Sequence, residues 1–482
     1  MPEDARGGEP AVRLSLRGND LLVQPLDPAP GAAEAAGRER LRASLAAAAP
    51  GPAPVYDRRL GAYRTVASAF RAIRERLERE RYTVGVEFDP APPLPFEPRL
   101  QQQPRDYQGD ALAAWEAAGR RGVVVLPTGA GKTLVALMAI ARCRTWTLVV
   151  VPTVDLLTQW RRALLRVLHA PVEHVGTFGG GKQELRPVTV ITYDSAAIHT
   201  RQLNRFGLLI FDEAHHLPAA SYRLAAEGAV APYRLGLSAT PERSDGLEVD
   251  LDGLVGPVVF ARAPHELRRH LAAYRERRIT VALDEAERAA YAAALATYRG
   301  YVRSRRLRID SPEDFQRLVV WPSASNAEAR TAMLAHREAR RQAFNADGKL
   351  TVVVDLLARH RQDRVIIFSE YNAVVERLSR DLLIPCITHR TPPDERLAVL
   401  DGFRSGRFTK LVTGRVLNEG VDVPDANVAI VVSGSGTRRE YVQRLGRVLR
   451  PKAGPAVLYE LVAEETTEVH LNRRRHERPV AR

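Results

Sequence analysis

The sequence predicts an α/β protein with two parallel-sheet domains in tandem, a small α+β domain before them and a helical insertion between them. From residue 104 onward, short apolar runs alternate with amphipathic helices, and a second series of such runs begins at residue 364. Several runs end in polar residues, which is typical of buried parallel strands with ligands at their carboxyl ends. Residues 262–350 lack such runs and are rich in Arg, Ala and Glu, which predicts helices. The predicted domains are 1–95, 99–261, 262–350 and 351–482.

The first predicted domain combines strands with helix. The run VRLSLRGNDLLVQPL predicts a strand, and Val66–Arg81 predicts a helix because apolar residues recur every three or four positions. Thr83–Phe88 predicts a further strand. The proline-rich segment DPAPPLPFEP at 89–98 predicts a linker to the next domain.

The net charge predicts a polyanionic partner. The 482-residue chain has a formal net charge of +14 and a sequence pI of about 10.1, and nucleic acid is the polyanion that such proteins most often bind. The alternative is a compositional preference for arginine, since only five residues are lysine. Charge alone specifies no base sequence.

The composition argues against several other classes of protein. No apolar run approaches the ~18 residues of a membrane-spanning helix, and the N-terminal MPEDARGGEP lacks the features of a signal peptide. Cys143 and Cys386 lie far apart, so they provide neither a disulfide framework nor a cysteine zinc site. We therefore expect a cytoplasmic protein that does not contact membranes.

A glycine-rich loop between a predicted strand and a predicted helix indicates a phosphate site. In PTGAGKT, Gly129 and Gly131 allow successive main-chain N–H groups to point at phosphate oxygens. Lys132 offers a positive charge to the β and γ phosphates, and the Thr133 hydroxyl offers a ligand to Mg²⁺. The alternative is a chance glycine turn.

An acidic cluster, LLIFDEAHH, follows a later apolar run. The strand Leu208–Phe211 brings Asp212 to the sheet edge, where its carboxylate can hold Mg²⁺ directly or through water. Glu213 is placed to orient or deprotonate an attacking water, and His215 offers a hydrogen-bonding relay. A zinc site at His215 and His216 would lack a third nearby ligand. Together, the loop and this cluster predict a site for a nucleoside triphosphate with magnesium.

The segment QRLGRVLR predicts a helix with an arginine-bearing face. Gln443, Arg447 and Arg450 recur at three- and four-residue spacing, so they lie on one side of it. Arginines of a second domain that reach the γ phosphate only when a cleft closes would make hydrolysis depend on domain closure. The alternative is a solvated basic helix.

These segments resemble the superfamily 2 helicases. Residues 212–215 match the DEAH box of that group, PRDYQ its Q motif, LSATPER its motif III, VTGRVLNEGVDVP its motif V and QRLGRVLR its motif VI. The resemblance covers roughly residues 104–255 and 360–452. It implies two RecA-like domains, with ATP and Mg²⁺ bound in the cleft between them.

The resemblance also implies roles for individual residues. Gln108 would recognise adenine with support from Arg105 or Tyr107, while Ser238 and Thr240 would couple hydrolysis to domain movement. The expected nucleotide-binding residues are Arg105, Gln108, Pro127, Thr128, Gly129, Ala130, Gly131, Lys132, Thr133, Gly420 and Asp422. The expected magnesium ligands are Thr133 and Asp212, and the expected catalytic residues are Lys132, Asp212, Glu213, His215, Gln443, Arg447 and Arg450.

Within superfamily 2, the chain is most similar to XPB-type DNA repair helicases, especially their compact prokaryotic forms. YDRRLGAYR resembles the end of their N-terminal damage-recognition domain, and GLSATPERSDG followed by LDGLVGPVVF resembles their motif III region. The insertion at 262–350 lies about where they carry a thumb-like element, which implies a DNA-gripping role. One departure is Arg243-Ser244-Asp245, where that group has Arg-Glu-Asp. A generic bacterial DEAH translocase is the alternative.

Nucleic-acid contacts are expected at strand ends away from the nucleotide. Small hydroxyl and glycine residues suit phosphate contacts because they bring main-chain N–H groups close. The candidates are Thr153, Gly179, Gly180, Thr192 and Thr413, and the alternative is that these are ordinary turn residues. In the insertion, Arg303, Arg305 and Arg306 either contact phosphate or form a solvated helix face. Trp321 would either stack on a base or fill a core.

The sequence therefore predicts an ATP-dependent DNA helicase or translocase. Resemblance to the XPB group implies 3′→5′ movement and a role in DNA repair. We expect a monomer that acts on single-stranded or forked DNA. Two alternatives stay open, namely an RNA-remodelling DEAH-box ATPase and a DNA-binding module that recruits a nuclease partner through its N-terminal domain.

Overall fold

A computed structural model describes residues 10–26, 32–48, 53–239, 246–263, 266–267, 274–309, 312–414, 426–433 and 456–469. These residues form two compact units. The first comprises the described residues up to Pro127 and from Gly131 to Glu266, and the second comprises Thr128–Ala130 and the described residues from Leu267 onward. Among them, no helix is long and apolar enough to cross a lipid bilayer.

The first unit opens with a small α+β domain. Its elements are β1 (Ala11–Arg17), β2 (Asp20–Pro25), α1 (Ala32–Ala48), β3 (Val55–Asp57), β4 (Ala62–Val66), α2 (Phe70–Arg79) and β5 (Thr83–Val86), and its sheet has the order β3-β4-β2-β1-β5. The first predicted strand is in fact the hairpin β1-β2. It turns at Gly18, whose φ of 66° favours glycine. Apolar residues of α1 and α2 share one core with the sheet.

Side-chain contacts attach this N-terminal domain to the domain that follows. Val230 is buried in the N-terminal core, although it belongs to the following domain. The Asn19 amide donates to the Thr200 hydroxyl at 2.5 Å, and the Asn204 amide donates to the Gly18 carbonyl at 3.0 Å. The two domains therefore form a single unit.

The proline-rich segment 89–98 is also bound to the domain that follows. The Leu94 N–H donates to the Arg144 carbonyl, and the Trp146 N–H donates to the Pro92 carbonyl, each at 2.8 Å. Two further main-chain bonds join Arg99 to Leu168 and Gln101 to Val167. The segment that the sequence predicts as a linker is thus extended chain fixed by main-chain hydrogen bonds.

The larger domain of the first unit is built on an eight-stranded sheet. Its elements are α3 (Asp106–Ala117), β6 (Arg121–Val125), α4 (Lys132–Cys143), β7 (Thr147–Val151), α5 (Val154–Arg166), β8 (Val175–Gly179), β9 (Lys182–Gln183), β10 (Val188–Thr192), α6 (Tyr193–Ile198), β11 (Leu208–Asp212), α7 (Leu224–Glu227), β12 (Tyr233–Ser238), α8 (Asp250–Leu254) and β13 (Val258–Ala261). The order is β13-β6-β12-β11-β7-β10-β8-β9, and every neighbouring pair is parallel except β8 and β9. Every residue of β7, β10 and β11 is buried, as expected of central parallel strands.

The second unit contains a six-stranded sheet, and its paired strands are parallel. Its elements are β14 (Tyr274–Val281), α9 (Glu285–Ser304), α10 (Pro312–Phe315), α11 (Ala327–Phe344), α12 (Asp347–Arg359), β15 (Val365–Phe368), α13 (Asn372–Leu382), β16 (Cys386–Ile387), α14 (Pro393–Ser405), β17 (Lys410–Thr413), β18 (Val428–Val431) and β19 (Ala456–Ala463). The strand order is β14-β19-β18-β15-β17-β16.

The prediction that residues 262–350 contain no strand is wrong at β14. This strand pairs with β19 along its whole length and forms the edge of the second sheet. Its first charged residues, Arg275, Glu276 and Arg277, are exposed. Charged side chains protect an edge strand from pairing with another chain, and they also remove the apolar signal that predicts a strand.

Two antiparallel helices, α9 and α11, form most of the predicted insertion. We call them, with the tip residues 312–325 that join them, the insertion hairpin. The tip contains a π-helical turn at Gln316–Val320, and the Arg330 guanidinium donates to the carbonyls of Ser323 and Ala324, each at 3.1 Å. Trp321 at this tip is 68% exposed, so it does not fill a core.

A buried ion pair joins α12 to the segment after β19. Lys349 Nζ and Glu468 Oε2 are 2.7 Å apart, and both side chains are almost completely buried. Lys349 also donates to the Val432 carbonyl at 3.0 Å, and Glu468 accepts from the Ala463 N–H at 2.8 Å. The pair therefore connects three separate parts of the second unit.

Loss of Lys349 alone should destabilise the protein strongly. In Lys349→Met, the Glu468 carboxylate stays buried without its cation, and we expect the free energy of unfolding to fall by about 3–5 kcal/mol. Adding Glu468→Leu should recover much of this loss, because a buried ion pair can often be replaced by apolar residues. Chemical denaturation of the full chain measures both, with Arg341→Met at an exposed pair as the control. Losses that simply add in the double variant would contradict this account.

Candidate nucleotide site

The order of the first sheet brings the predicted nucleotide residues to one edge. Strands β6, β12 and β11 are neighbours and run parallel. The glycine-rich loop follows β6, Ser238 ends β12 and Asp212 ends β11. Three segments that are distant in the sequence therefore meet at the carboxyl ends of adjacent strands.

The loop has the backbone of a phosphate cradle. Gly129 and Gly131 have φ angles of 83° and 81°, which lie in the left-handed region that glycine adopts without strain. The 12-residue helix α4 begins at Lys132, so the N–H groups of its first turn and its partial positive charge lie beside the loop. The Thr128 hydroxyl is buried and has no hydrogen-bonding partner within the described part of the chain. A buried hydroxyl of this kind is suited to a hydrogen bond with an oxygen atom of a ligand.

The Lys132 ammonium group and the Thr133 hydroxyl lie at the start of α4, directly after the loop. Lys132 Nζ donates to the Leu126 carbonyl at 3.1 Å, so the ammonium group lies over the loop itself. Thr133 is the next residue of the helix and is partly exposed. A phosphate group in the loop would offer Lys132 a charged acceptor, which forms a stronger hydrogen bond than a carbonyl does.

Gln108 lies against the loop at the start of α3. Its Oε1 accepts from the Arg105 main-chain N–H at 2.9 Å, and its Nε2 donates to the Gly131 carbonyl at 3.4 Å. A Cβ on residue 131 would lie 2.4 Å from Gln108 Nε2, so the contact requires glycine there. The Arg105 guanidinium donates to the Tyr107 hydroxyl at 3.0 Å. The pair predicted to recognise adenine therefore lies beside the phosphate loop.

The Asp212 carboxylate is buried and held by donors on both oxygens. Oδ2 accepts from the Trp160 indole N–H at 2.7 Å, and Oδ1 accepts from the Glu213 main-chain N–H at 3.0 Å. Burial raises the pKa of the Asp212 carboxyl, while the Trp160 hydrogen bond and the charge of Lys132 act in the opposite direction. Carboxylate oxygens are ligands that a hard cation such as Mg²⁺ prefers.

Glu213, His215 and Ser238 are in contact beside this carboxylate. Glu213 has a left-handed backbone with a φ of 48°, which is strained for a residue with a side chain. His215 is completely buried, and its Nδ1 lies 3.3 Å from Ser238 Oγ and 3.6 Å from Glu213 Oε2. The predicted relay residue thus connects the predicted base, which follows β11, with the predicted coupling residue at the end of β12.

The nucleic-acid candidates of the first unit lie on the same edge of the sheet as the nucleotide residues. The expectation that they lie away from it is wrong, because β7, β8 and β10 run parallel to β11. Thr153 follows β7, Gly179 ends β8 and Thr192 ends β10. The two groups therefore occupy adjacent halves of one sheet edge.

These candidates differ in how accessible they are. Thr153 and Gly179 are partly exposed and Gly180 is exposed. The Thr192 hydroxyl lies in a buried side chain and donates to Ser195 Oγ at 2.9 Å. Thr413, which ends β17 in the second unit, is fully buried, and its hydroxyl donates to the Gly414 carbonyl. These contacts favour the turns at Thr153 and at the glycine pair.

Other predicted site residues lie outside the described parts of the chain. They are Thr240, Gly420, Asp422, Gln443, Arg447 and Arg450, together with Arg243, Ser244 and Asp245.

Two residues that contact Asp212, Trp160 and Tyr193, were not predicted from the sequence. The Tyr193 hydroxyl donates to the Asp212 main-chain carbonyl at 3.1 Å, and Trp160 binds the carboxylate itself. Trp160 lies in VPTVDLLTQW, the segment after β7. A buried indole N–H needs an acceptor, so a tryptophan on a core-facing helix beside an acidic strand end was the available signal.

Two family models match separate parts of the chain. Residues 101–243 match the model described as type III restriction enzyme, res subunit. Residues 328–480 match the model described as ERCC3/RAD25/XPB C-terminal helicase.

One relative aligns with most of the chain. The "DNA 3'-5' translocase XPB2" of Sulfurisphaera tokodaii is 41% identical over 423 residues, which is 87% of this chain and 94% of that protein. The chain belongs to the XPB family of helicases. This confirms the predicted XPB-type assignment within superfamily 2.

The chain is also similar to longer XPB proteins. The "DNA 3'-5' helicase XPB" of Mycobacterium tuberculosis is 34% identical over 381 residues, which is 76% of this chain and 62% of that protein. The XPB/SSL2 helicase/translocase subunit of general transcription and DNA repair factor IIH from Saccharomyces cerevisiae is 26% identical over 438 residues, which is 84% of this chain and 47% of that protein.

A solved structure confirms the predicted fold class. The helicase domain of Pyrococcus furiosus Hef matches with a TM-score of 0.55 and covers 78% of this chain and 100% of that one. At 19% sequence identity, this likeness concerns the fold alone. It agrees with RecA-like parallel-sheet domains in tandem.

Removal of the Ser238 hydroxyl should slow hydrolysis more than it weakens ATP binding. Ser238→Ala removes a contact with His215 and leaves the phosphate loop intact, so kcat should fall while KM for ATP changes little. A hydrogen bond worth about 1 kcal/mol corresponds to about a fivefold fall in kcat. Steady-state ATPase kinetics measure both constants. Ser379→Ala, which removes a hydroxyl bonded to Ile384 in the second unit, is the control. Equal kcat values in both variants would exclude a role for Ser238.

Proposed function

We propose that this XPB-family chain is a DNA 3′→5′ translocase that hydrolyses Mg-ATP at the carboxyl edge of its first large sheet. The chain is an ATP-dependent DNA helicase by family, and relatives named as 3'-5' translocase and helicase support the polarity. The residue roles rest on one observation, the convergence of Lys132, Asp212 and Glu213 at the carboxyl ends of β6 and β11, the two strands that flank β12. The use of residues 212–215 as a DEAH-type box is part of the proposal.

The loop and its neighbours bind the nucleotide. The N–H groups at the start of α4 and the Lys132 ammonium group bind the phosphates, and Gln108 with Arg105 recognises adenine. Thr133 and Asp212 would hold magnesium, which when bound supplies positive charge to the phosphate oxygens. The remaining loop residues, Pro127, Thr128 and Ala130, shape the cradle.

Glu213 acts as the general base. Its carboxylate takes a proton from the attacking water as the water oxygen bonds to the γ phosphorus and ADP leaves. His215 contacts both Glu213 and Ser238, so a displacement of the end of β12 changes the position of the base. The contact between His215 and Ser238 is thus the structural basis of the coupling proposed for Ser238 and Thr240.

Motifs V and VI supply the remaining residues of the proposed mechanism. The resemblance to motifs V and VI supports this role for Gly420, Asp422, Gln443, Arg447 and Arg450. Guanidinium groups that reach the γ phosphate only in the closed state stabilise the charge of the transition state. Hydrolysis would then depend on domain closure and would drive movement along the strand.

Glu213→Gln should abolish most ATP hydrolysis. The amide cannot accept the proton, and loss of a general base lowers kcat by about 10²–10⁴-fold. ATP binding should persist, because the loop and Lys132 are unchanged. Release of inorganic phosphate measures the rate, and Glu227→Gln at a surface pair with Arg223 is the control. A Glu213→Gln rate within a fewfold of wild type would assign the base elsewhere.

The same assay on wild-type protein tests the choice of nucleic acid. Single-stranded, forked and duplex DNA and the matching RNAs are compared as activators, followed by strand displacement on forks with either tail. We expect activation by DNA and displacement that requires a 3′ tail. Greater activation by RNA would favour the RNA-remodelling alternative, and indifference to every nucleic acid would refute the translocase proposal.

The insertion hairpin is proposed as a second contact with DNA. Its exposed tip carries Trp321, and the start of α11 lies beside the basic end of α9 because Arg305 pairs with Glu328 at 2.7 Å. Arg303 and Arg306 are exposed at the same end. An exposed indole near arginines suits a single strand, since bases stack on aromatic rings and phosphates bind guanidinium groups.

Trp321→Ala should weaken binding to single-stranded DNA. Loss of one base-stacking ring corresponds to about 1–3 kcal/mol, or roughly 5- to 150-fold in Kd. Fluorescence anisotropy without ATP measures the affinity. Leu334→Ala, which removes an exposed apolar side chain from α11 of the same hairpin, is the control. The same Kd for both variants would exclude base stacking at Trp321.

We further propose that the chain acts as a monomer in the cytoplasm and that its N-terminal domain offers a docking site for a nuclease. Light scattering of the purified chain with and without DNA tests the first point. Affinity capture with the full chain tests the second. The isolated residues 1–95 are unsuitable because Val230 belongs to the core of this domain.

A further inference from the structure

Trp160 connects the metal-binding carboxylate to a helix that otherwise lies outside the nucleotide site. It lies on α5 and is 2% exposed, and its indole N–H donates to Asp212 Oδ2 at 2.7 Å. A hydrogen bond to a charged acceptor is roughly twice as strong as a neutral one. The indole therefore constrains the rotation of the Asp212 side chain.

Among the residues that the structure describes, the Asp212 carboxylate has one donor on each oxygen. Trp160 binds Oδ2, and the Glu213 N–H binds Oδ1 at 3.0 Å. Together the two bonds fix the plane of the carboxylate. An ionised carboxylate has about four lone-pair positions, so both oxygens retain capacity for a cation. Of the two donors, Trp160 alone comes from a different secondary-structure element, and so it alone can move relative to β11.

The start of α5 lies at the turns favoured for nucleic-acid contact. Thr153 caps the helix, with its hydroxyl accepting from the Leu156 N–H at 3.3 Å. A Cβ on Gly180 would lie 3.0 Å from Val154 Cγ1, so the glycine turn after β8 packs against the first turn of α5. A strand bound at either turn would press on the start of this helix.

Helix α5 is suited to transmit a displacement from these turns to Asp212. Trp160 lies about two turns beyond Thr153. Leu157, Trp160 and Leu164 are buried at helical spacing, so one face of α5 is packed against the core. A packed helix moves as a rigid body more readily than it bends, and a shift at its start therefore moves the indole.

We propose that Trp160 is a positioning residue that couples nucleic-acid binding at the start of α5 to the orientation of the Asp212 carboxylate. Nucleic acid would then accelerate hydrolysis partly by improving the fit of Asp212 to magnesium. This inference rests on the proposed function, in which Asp212 holds the metal and a strand contacts Thr153 and the glycine turn.

The test compares two buried tryptophans whose indole N–H groups both donate hydrogen bonds, one to a carboxylate and one to a main-chain carbonyl. Trp160→Phe removes the donor to Asp212 and keeps an aromatic ring. Trp115→Phe removes an indole bond to the Arg234 carbonyl at 2.8 Å, which is equally buried and remote from the carboxylate. ATP turnover is measured as a function of Mg²⁺ concentration, with and without single-stranded DNA.

We expect Trp160→Phe to raise the half-saturating Mg²⁺ concentration by about tenfold, as the loss of a hydrogen bond to a charged group implies. It should also reduce the ratio of DNA-stimulated to basal turnover, while basal turnover recovers largely at saturating Mg²⁺. Trp115→Phe should change neither quantity by more than about twofold. A core-packing role alone would lower stability in both variants without this difference in Mg²⁺ dependence.

Three outcomes separate the parts of the inference. An unchanged Mg²⁺ dependence in Trp160→Phe would overturn the positioning role. A raised Mg²⁺ requirement with an unchanged stimulation ratio would overturn the coupling. If no nucleic acid stimulates the wild type, the proposed function fails, and the Mg²⁺ titration without DNA still tests the link between Trp160 and Asp212.

A second measurement covers the case in which Trp160→Phe does not fold. The chain has four tryptophans, so protein labelled with 5-fluorotryptophan gives four fluorine resonances. Variants of Trp115, Trp146 and Trp321 assign three of them, and the fourth belongs to Trp160. We expect this resonance to shift when single-stranded DNA is added without nucleotide. A resonance that does not move would overturn the coupling.

Discussion

The parallel direction of neighbouring strands is the constraint on which the site depends. From β6 to β8 every paired strand runs the same way, so all carboxyl ends lie on one edge. The phosphate loop, Ser238 and Asp212 occupy one half of that edge, and the nucleic-acid candidates occupy the other. The helices that connect these strands can therefore link the nucleotide residues to the nucleic-acid candidates. Helix α5 is one of them.

Burial disfavours the ionised form of the Asp212 carboxyl, and groups on neighbouring elements act in the opposite direction. Desolvation raises its pKa, and the hydrogen bond from Trp160 and the charge of Lys132 favour the anion. Each contribution comes from a different element, namely β11, α5 and α4. The carboxylate is therefore sensitive to relative movements of these elements, which an ATPase controlled by a second ligand requires.

Local signals made the two α/β domains and the nucleotide residues predictable. Gly129, Gly131 and Lys132 lie together in the sequence, and Asp212 ends an apolar run, so no knowledge of packing was needed. Contacts between distant segments had no such signal. The hydrogen bond from Trp160 to Asp212 depends on where α5 packs, and the charged side chains of β14 concealed an edge strand. Because the strands are parallel, the nucleotide residues and the nucleic-acid candidates lie on one edge of the sheet. Residue types alone do not reveal this.

The hydrogen-bonded segment at 89–98 has a consequence for how such proteins diversify. Prolines mark this segment as a place where evolution could exchange one N-terminal domain for another. Its main-chain bonds to Arg144 and Trp146, and the burial of Val230 in the N-terminal core, mean that an exchanged domain would need to reproduce both sets of contacts. New specificities at this end of the protein are therefore expected to arise through substitution on the surface of the existing domain rather than through recombination.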